Sequence, residues 1–429
     1  RLLRHVRARQ PHGDPDVGAL QRRRVVHAIA GHRHDRAALL ERRDDLELVL
    51  GRHPSDDADL VELFYGPALS AVSDCLRGCF VASPKRHLKA ADFSAIEGRV
   101  TAWVAGEAWK LEAFRAYDEG RGPGIYELTA SEILSKRPDD VAKPERQAYG
   151  KVPELALGFQ GGVMAFDSMA KIYGVDMSQA FEPLRRVADP ELWEKSHRWY
   201  ERCKPSGRFG TGQLSYETWM ASDVTKRLWR AKHPQTEQLW YGLENAAFDA
   251  VVEPGSVQTY NGISYLVARG FLWCRLPSGR CLAYGGPRVE DRVWFEYEDG
   301  STETVSPREA DRLEAEGLGK RGRQAKGAVT ALGVDSKTKK WRRFGLYGGL
   351  ATENVVQAIA RDVLTHGMMK AEAAGYPIIF HVHDEAVADV PDGFGSLQEF
   401  EALLCDLPAW AAGLPLVAAG YEAHRYRKE

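Results

Sequence analysis

The 429-residue sequence predicts an α+β fold, and three observations carry that expectation. Residues 107–250 are helical in pattern and dense in Trp, Tyr and charge. Strand signals return beyond residue 250. The stretch Ile378–Val390, IIFHVHDEAVADV, reads as an apolar strand, a sharp turn and a second strand. The length exceeds the roughly 250 to 300 residues at which one hydrophobic core stops growing, so at least two subdomains are expected. A formal charge of −2 gives no global nucleic-acid signature, and any such interface must be locally basic. No apolar run approaches the ~18 residues of a membrane span and no signal peptide is visible, so a cytoplasmic protein without a membrane partner is expected; a monomer is expected as well. The six cysteines form no CxxC pair and have no His at zinc spacing, which points to reduced thiols. The chain opens on Arg1, which suggests a fragment or processed product with domains upstream.

Residues 1–55 hold twelve Arg and six of the thirteen His, with no Lys, and the first aromatic residue is Phe64. A segment so poor in large apolar side chains buries little and is expected to be loosely helical, disordered or a basic arm on a phosphate backbone, or, given the abrupt change of composition near Pro54, not native-like coding sequence. From Asp56 the texture becomes globular, with Leu60, Phe64, Leu69, Val72, Leu76 and Phe80 at helical spacing and Arg77 among them. His87 to Phe93 reads as a strand that closes on Asp92. In SAIEGRVTAWVAG, Ile96, Val100, Trp103 and Val104 then share a helix face that Gly106 stops. Asp92 at the strand end and Glu97 in the next helix thus stand near one another in the chain.

Within the helical block lies PERQAYGKVPELALGFQGG, residues 144–162. Wound as one helix from Arg146 to Phe159, it places Lys151, Leu155 and Phe159 on one stripe, able to hold a triphosphate at the cation and stack a base or sugar on the ring. Pro153 would kink that helix or mark its true first turn. Val257–Ala268 and Phe271–Tyr284, with a turn at Pro277–Gly279, read as a β-ribbon, and Val293–Val305 as a hairpin around Asp299-Gly300. Residues 320–343 carry nine Lys or Arg against the single acid Asp335, with Trp341 and Phe344 at the end; the run either tracks a nucleic-acid backbone or is a solvated loop.

A helix is expected from Thr352 to Ala374, closed by Gly375. Val355, Ile359 and Val363 form its apolar side, and Asn354, Gln357, Arg361 and Thr365 a polar stripe suited to base edges and sugars in a minor groove. The hairpin follows, with His383, Asp384 and Glu385 at its tip. Adjacent carboxylates repel one another unless a cation is shared, so either a hard metal such as Mg2+ binds there or the triplet is a solvated acidic turn.

The order of these pieces is more informative than any one of them. DFSAIEGR, RQAYGKVPELALGFQGG, ENVVQAIARD and HVHDE occur in succession over residues 56–429. That succession resembles the polymerase part of the family A DNA polymerases, the DNA polymerase I group, and looks most like its bacteriophage or prophage branch. The resemblance implies a right-hand fold with an antiparallel palm sheet, helical fingers and a truncated or degenerate thumb. In that frame 1–55 is a thumb remnant or disordered, 56–105 the end of the thumb and the first part of the palm, 106–250 the fingers and 251–429 the palm.

It also implies extension of primer 3′ ends on a DNA template with deoxynucleoside triphosphates, in DNA replication or repair. By motif, Asp92 and Asp384 resemble the ligands of two Mg2+ ions, with Mn2+ as a substitute. Glu385 resembles a supporting carboxylate, His383 a neighbour of the primer end and Glu97 the steric gate against a ribose 2′-hydroxyl. Lys151 and Arg146 would neutralise the triphosphate, Phe159 would pack near the templating base, and Asn354 and Gln357 would feel the minor groove. Arg361 and Arg77 are further DNA contacts in this frame.

The chain departs from the family pattern in places. Arg146 stands five residues before Lys151 where four is usual, a rotation of ~140° on a regular helix, so either the helix is irregular or Arg146 reaches in from a loop. Leu155 replaces a common aromatic, Tyr126 stands where others have His, and the Gly-Arg and Gln-Asn-Leu-Pro signatures ahead of the first motif are absent. No 3′-5′ exonuclease is expected from this chain. A single-subunit RNA polymerase and a catalytically impaired DNA-binding remnant remain as alternatives.

Overall fold

In a computed structural model, the structure describes residues 77–298, 302–335 and 338–427, apart from the side chains of residues 206, 302 and 303. The segment 1–55, the helical spacing over 56–76 and the 299–300 turn lie outside the described residues. The chain runs through β1 (Arg86–Phe93), α1 (Ile96–Ala105), α2 (Ala108–Asp118) and α3 (Ile125–Leu134). A composite helix α4 follows, made of Lys143–Glu145, Arg146–Lys151 and Val152–Leu157, then α5 (Val163–Ile172), α6 (Phe181–Val187), α7 (Pro190–Cys203), α8 (Tyr216–Lys232) and α9 (Pro234–Val252). Next come β2 (Val257–Tyr260), β3 (Ile263–Ala268), β4 (Phe271–Arg275), β5 (Cys281–Tyr297), β6 (Thr302–Val305), α10 (Pro307–Ala315), β7 (Gly319–Val334) and β8 (Trp341–Gly345). The last described elements are α11 (Gly348–Ala373), β9 (Ile378–Val382), β10 (Glu385–Pro391), α12 (Leu397–Leu404) and β11 (Ala418–Ala423). Among the described residues no helix is long and apolar enough to cross a membrane.

Two compact units divide this chain. One comprises residues 77–92, Ala371–Leu403 and 419–427, and the other Phe93–Lys370 and Leu404–Ala418. The first unit is built on a four-stranded sheet in the order β11-β1-β10-β9, with β10 antiparallel to both of its neighbours. Its two central strands are nearly continuous runs of buried residues, which requires cover on both faces. One face packs Leu88, Ala90 and Val387 against Tyr421 and Tyr426. Lys89, 2% exposed, is buried against Glu422, and Asp389 accepts from Ser83 Oγ at 2.7 Å and pairs with Arg86 at 3.3 Å, so the buried charges are matched.

The second unit has a helical core in which Val152, Leu157, Phe166, Trp229 and Trp240 are all but removed from water. Gly106 ends α1 at φ 74°, its N–H reaching Ala102 and Trp103 carbonyls, as the glycine stop predicts. Buried charges stitch the helices together. Arg99 grips Asp118 with two bonds of 2.6 Å and donates to Ser94 O at 2.7 Å, fixing the chain where β1 passes into α1. Glu107 accepts the Gln235 and Thr236 amides at 3.1 Å, capping α9 where its own N-cap side chain makes no such bond.

At the centre of this core sits Glu154. It accepts from Thr129 Oγ1 at 2.8 Å and Trp229 Nε1 at 2.9 Å, contacts Lys110, and lies 3.3 Å from His233 Nε2. Burial alone would push its pKa up; the Lys110 and His233 charges outweigh that and hold the carboxyl well below the usual range. The result is a fixed point on α4 three residues from Lys151.

The same unit carries a seven-stranded antiparallel sheet in the order β2-β3-β4-β5-β7-β8, with β6 added to β5. One long strand expected over 257–268 is instead two strands. Asn261 and Gly262 take φ values of 45° and 77° and reverse the chain, the Asn-Gly hairpin chemistry that an apolar run had concealed. Val293, Phe295 and Val305 pack on Ala310 and Leu313 of α10 in a small core of their own, and Val293 opposes Val305 as the expected hairpin requires. The basic run lies mostly on β7 and β8, so its reading as a solvated loop is corrected: Gly319–Val334 and Trp341–Gly345 are paired strands.

Candidate active site

In the first unit, β1 and β10 run antiparallel with Asp92 directly opposite Glu385. Two residues, His383 and Asp384, join β9 to β10. A two-residue hairpin needs positive φ, and His383 supplies it at 54° without being glycine. Such backbone costs on the order of 1 kcal/mol or more and persists where surrounding structure imposes it. The turn therefore holds Asp384 beside the strand end that carries Asp92. Asp92, His383, Asp384, Glu385 and Arg77 line one cavity of about 240 Å³ together with Tyr421 and Arg427.

Glu385 is half-buried and accepts from Tyr426 Oη at 2.8 Å. Burial raises its pKa; the Tyr426 bond and Arg77 pull it down, while Asp92 and Asp384 push it up further. Burial and the Glu385 bond in turn raise the Tyr426 phenol. Tyr426 packs edge-on against Phe380 at 5.2 Å, and the Arg77 guanidinium lies 5.9 Å from its ring. Tyr426 and Arg427 were not singled out from sequence, because nothing in the terminal YEAHRYRKE marks them. As a donor set, the carboxylates of Asp92, Asp384 and Glu385 suit a hard cation. Among the described residues no group of three or more His, Cys, Asp or Glu side chains is already assembled as a metal site.

In the second unit, the regular helix expected from Arg146 to Phe159 is corrected. Arg146–Lys151 is π-helical, the α-helix proper spans Val152–Leu157, and Phe159 lies beyond its end. A π turn bonds i to i+5, so the five-residue step from Arg146 to Lys151 occupies about one turn, and the extra residue is absorbed on the spot. Pro153 sits in the first turn of the α-helical part, directly after the π-helical turn. Gly150 is required here: a Cβ would lie 2.1 Å from the Tyr126 carbonyl of α3. Arg146 bonds Glu127 and lies 5.0 Å from the Tyr126 ring; Lys151 lies 4.8 Å from the Tyr173 ring. Leu155 and Phe159 are partly exposed. The Phe159 carbonyl abuts the start of α11, where the Gly349 N–H donates to Gln160 Oε1 at 2.9 Å.

Glu97 on α1 and Gln357 on α11 are brought together, Gln357 Nε2 donating to Glu97 Oε1 at 3.2 Å. Ala95, before α1, has φ 51° and is a second non-glycine residue in the left-handed region beside a carboxylate motif. Asn354 does not join Gln357: it donates to Tyr284 Oη of β5 at 3.0 Å. The residue that does share the Gln357 face is Glu353, one helical turn earlier, whose pKa is raised by burial and then by Glu97. Its i, i+4 spacing to Gln357 was the available signal. Arg361 is half-buried one turn beyond Gln357, where Arg280 braces the helix through Asp362 at 2.6 Å and Ala358 O at 2.7 Å.

No family model matches the chain. Over 388 residues, 90% of its length, it is 33% identical to the DNA polymerase of Bacillus phage SP02 and covers 48% of that protein. Over 139 residues, 32% of its length, it is 27% identical to DNA polymerase I of Aquifex aeolicus and covers 23% of it. The chain thus spans about half the length of the phage relative and about a quarter of the other. The solved polymerase domain of Pol1 from M. smegmatis, in complex with DNA primer-template and dNTP, aligns over 82% of this chain and 42% of that one. Its identity is 14% and its TM-score 0.43, a likeness too distant to carry an argument.

Proposed function

For a chain that belongs to the family A DNA polymerases through their polymerase part, we propose template-directed addition of deoxynucleoside triphosphates to a primer 3′ end, without 3′-5′ exonuclease. The observation that supports this reading most is the cavity lined by Asp92, Asp384 and Glu385 at the joint of β1 and the β9–β10 hairpin. Asp92 and Asp384 would hold Mg2+, two ions in the reading proposed, with Mn2+ able to substitute; the chemistry such ions would supply there is a lowered pKa for the primer 3′-hydroxyl and positive charge against the triphosphate and leaving pyrophosphate. Glu385, steadied by Tyr426, assists the two aspartates. His383 neighbours the primer end and Arg77 supplies positive charge.

On the other unit, Lys151 and Arg146 bind the triphosphate, with Tyr126 ordering Arg146 beneath it. Leu155 and Phe159 border the sugar and the templating base. Glu97, held by Gln357, excludes a ribose 2′-hydroxyl, and Asn354, Gln357 and Arg361 contact the DNA. Primer-template DNA and deoxynucleoside triphosphates are the partners, and the protein acts as a monomer in a bacterial or phage-infected cytoplasm.

The test is extension of a labelled primer on a DNA template by the purified protein with Mg2+. Template-dependent growth with deoxynucleotides is expected. DNA binding without growth would leave an impaired remnant, and faster growth with ribonucleotides would favour an RNA polymerase.

A further inference from the structure

The seven-stranded sheet has two unlike faces. Ile263, Tyr265, Leu272, Cys274 and Tyr284 are buried, on the side that meets α9. Cross-strand partners share a face, and on the other side the register aligns Phe271 with Gly285, Leu332 and Arg343, and Val334 with Trp341. The solvated face of an antiparallel sheet is ordinarily polar. Here Phe271 and Leu332 are 41% exposed, Val334 56% and Trp341 72%.

The charge beside this apolar row is mainly positive, and the nearby acid Glu290 is paired with Arg288 at 2.8 Å. Residues 319–345 contain a single acid, Asp335, and it is engaged by Arg342 at 2.6 Å and by the Thr338 amide and hydroxyl at 2.6 and 2.9 Å. Lys339 and Lys340 stand exposed at the turn that leads to Trp341. Arg343 is held in place by Gly286 O at 2.9 Å and Thr330 Oγ1 at 3.1 Å, a cation with a fixed position. Lysines alone would be ordinary protection for the edge strand β8 against pairing with another chain. An indole 72% exposed on that same edge works against such protection.

We propose that this face is a nucleic-acid-binding surface, distinct from the carboxylate cavity, that takes single-stranded DNA. Bases stack on Trp341 and Phe271, and phosphates meet Lys339, Lys340 and Arg343. Aromatic platforms flanked by cations bind single strands with little sequence preference, because every base offers a π face. That the strand is DNA rests on the polymerase reading; the stacking surface does not.

The experiment titrates a labelled oligothymidylate of about 20 nucleotides, long enough for several stacked bases, into the full chain and into Trp341→Ala, Trp341→Phe and the Lys339→Glu/Lys340→Glu double variant. Trp341→Ala should bind roughly tenfold more weakly, the loss of about one stacked base, and Trp341→Phe should recover most of it. The double variant should bind less steeply with salt, its slope reduced by about one unit for each cation removed. Unchanged affinity in all three overturns the proposal. So does a wild-type dimer that Trp341→Ala converts to monomer with no change in oligonucleotide affinity, which would make the face a self-association surface. Primer extension on a minimal overhang is read in parallel: if the wild type extends nothing, the polymerase reading fails while the affinity differences still report on this face.

Discussion

Glu154 and Glu385 are two glutamates withdrawn from water whose surroundings treat them in opposite ways. Glu154 is met by a lysine, an imidazole, a hydroxyl and an indole N–H, and its acidity rises despite burial. Glu385 receives one phenol bond and one guanidinium nearby, while Asp92 and Asp384 press on it, and its acidity falls. The first arrangement is what a buried charge needs in order to hold helices together. The second disfavours the charged form of Glu385 beside a cavity that Asp92 and Asp384 also line, and a cation there would favour it.

Substitutions can sharpen or break that contrast. Asp92→Ala and Asp384→Ala should each reduce primer extension by ~10³-fold or more, several kcal/mol of transition-state stabilisation, while DNA binding and the melting temperature hold. Near-wild-type extension in either would remove that residue from the metal site. Glu154→Ala should destabilise the fold by about 3–5 kcal/mol in denaturant titration, because Lys110 and His233 are left buried without their partner. The folded pKa of Glu154 is depressed, so its contribution is complete above the ordinary carboxylate value of about 4.3 and is lost only as pH falls toward the folded value. The advantage of wild type over Glu154→Gln should therefore still be present at about pH 5; an advantage already lost at that pH would contradict the network as drawn.

A smaller effect is expected at Glu97. Glu97→Ala should raise ribonucleotide incorporation roughly tenfold, about 1.4 kcal/mol of discrimination, and Gln357→Ala should do so partially by releasing the same carboxylate. Unchanged sugar selectivity in Glu97→Ala would take it out of the gate. The smallest change belongs to Glu385→Gln at neutral pH. Removing one of three close carboxylates should leave the protein as stable or up to about 1 kcal/mol more so, after allowance for solvent screening. A clear loss of stability would place Glu385 with Glu154 as a structural charge.

The sequence made the outline legible where period and punctuation agree. β1, α1 with its Gly106 stop, α11 with Gly375 and the β9–β10 hairpin follow from alternation, helical spacing and glycine at helix ends. What stayed hidden depends on distant partners. Nothing local announces that Glu107 caps a helix more than a hundred residues later, or that Tyr426 reaches Glu385. Asn261-Gly262 was obscured by the apolar run around it, and the pull of Tyr284 on Asn354 could not be seen from a helical stripe. Lys110 and His233 give no sign in sequence that they will be buried on one carboxylate.

The π-helical turn in α4 bears on how such a chain tolerates change in length. A residue gained between Arg146 and Lys151 would, on an ordinary helix, swing everything after it by 100° and pull Glu154 off its partners. Taken up as a widened turn, it leaves Val152 to Leu157 in place and confines the disturbance to the Gly150 contact with Tyr126. Deleting Ala148 should then close the turn to a regular helix and keep the chain folded, whereas a deletion one turn later, inside Val152–Leu157, should not. Read as heredity, the widened turn is a place where an insertion can be carried without a second, compensating event elsewhere in the gene.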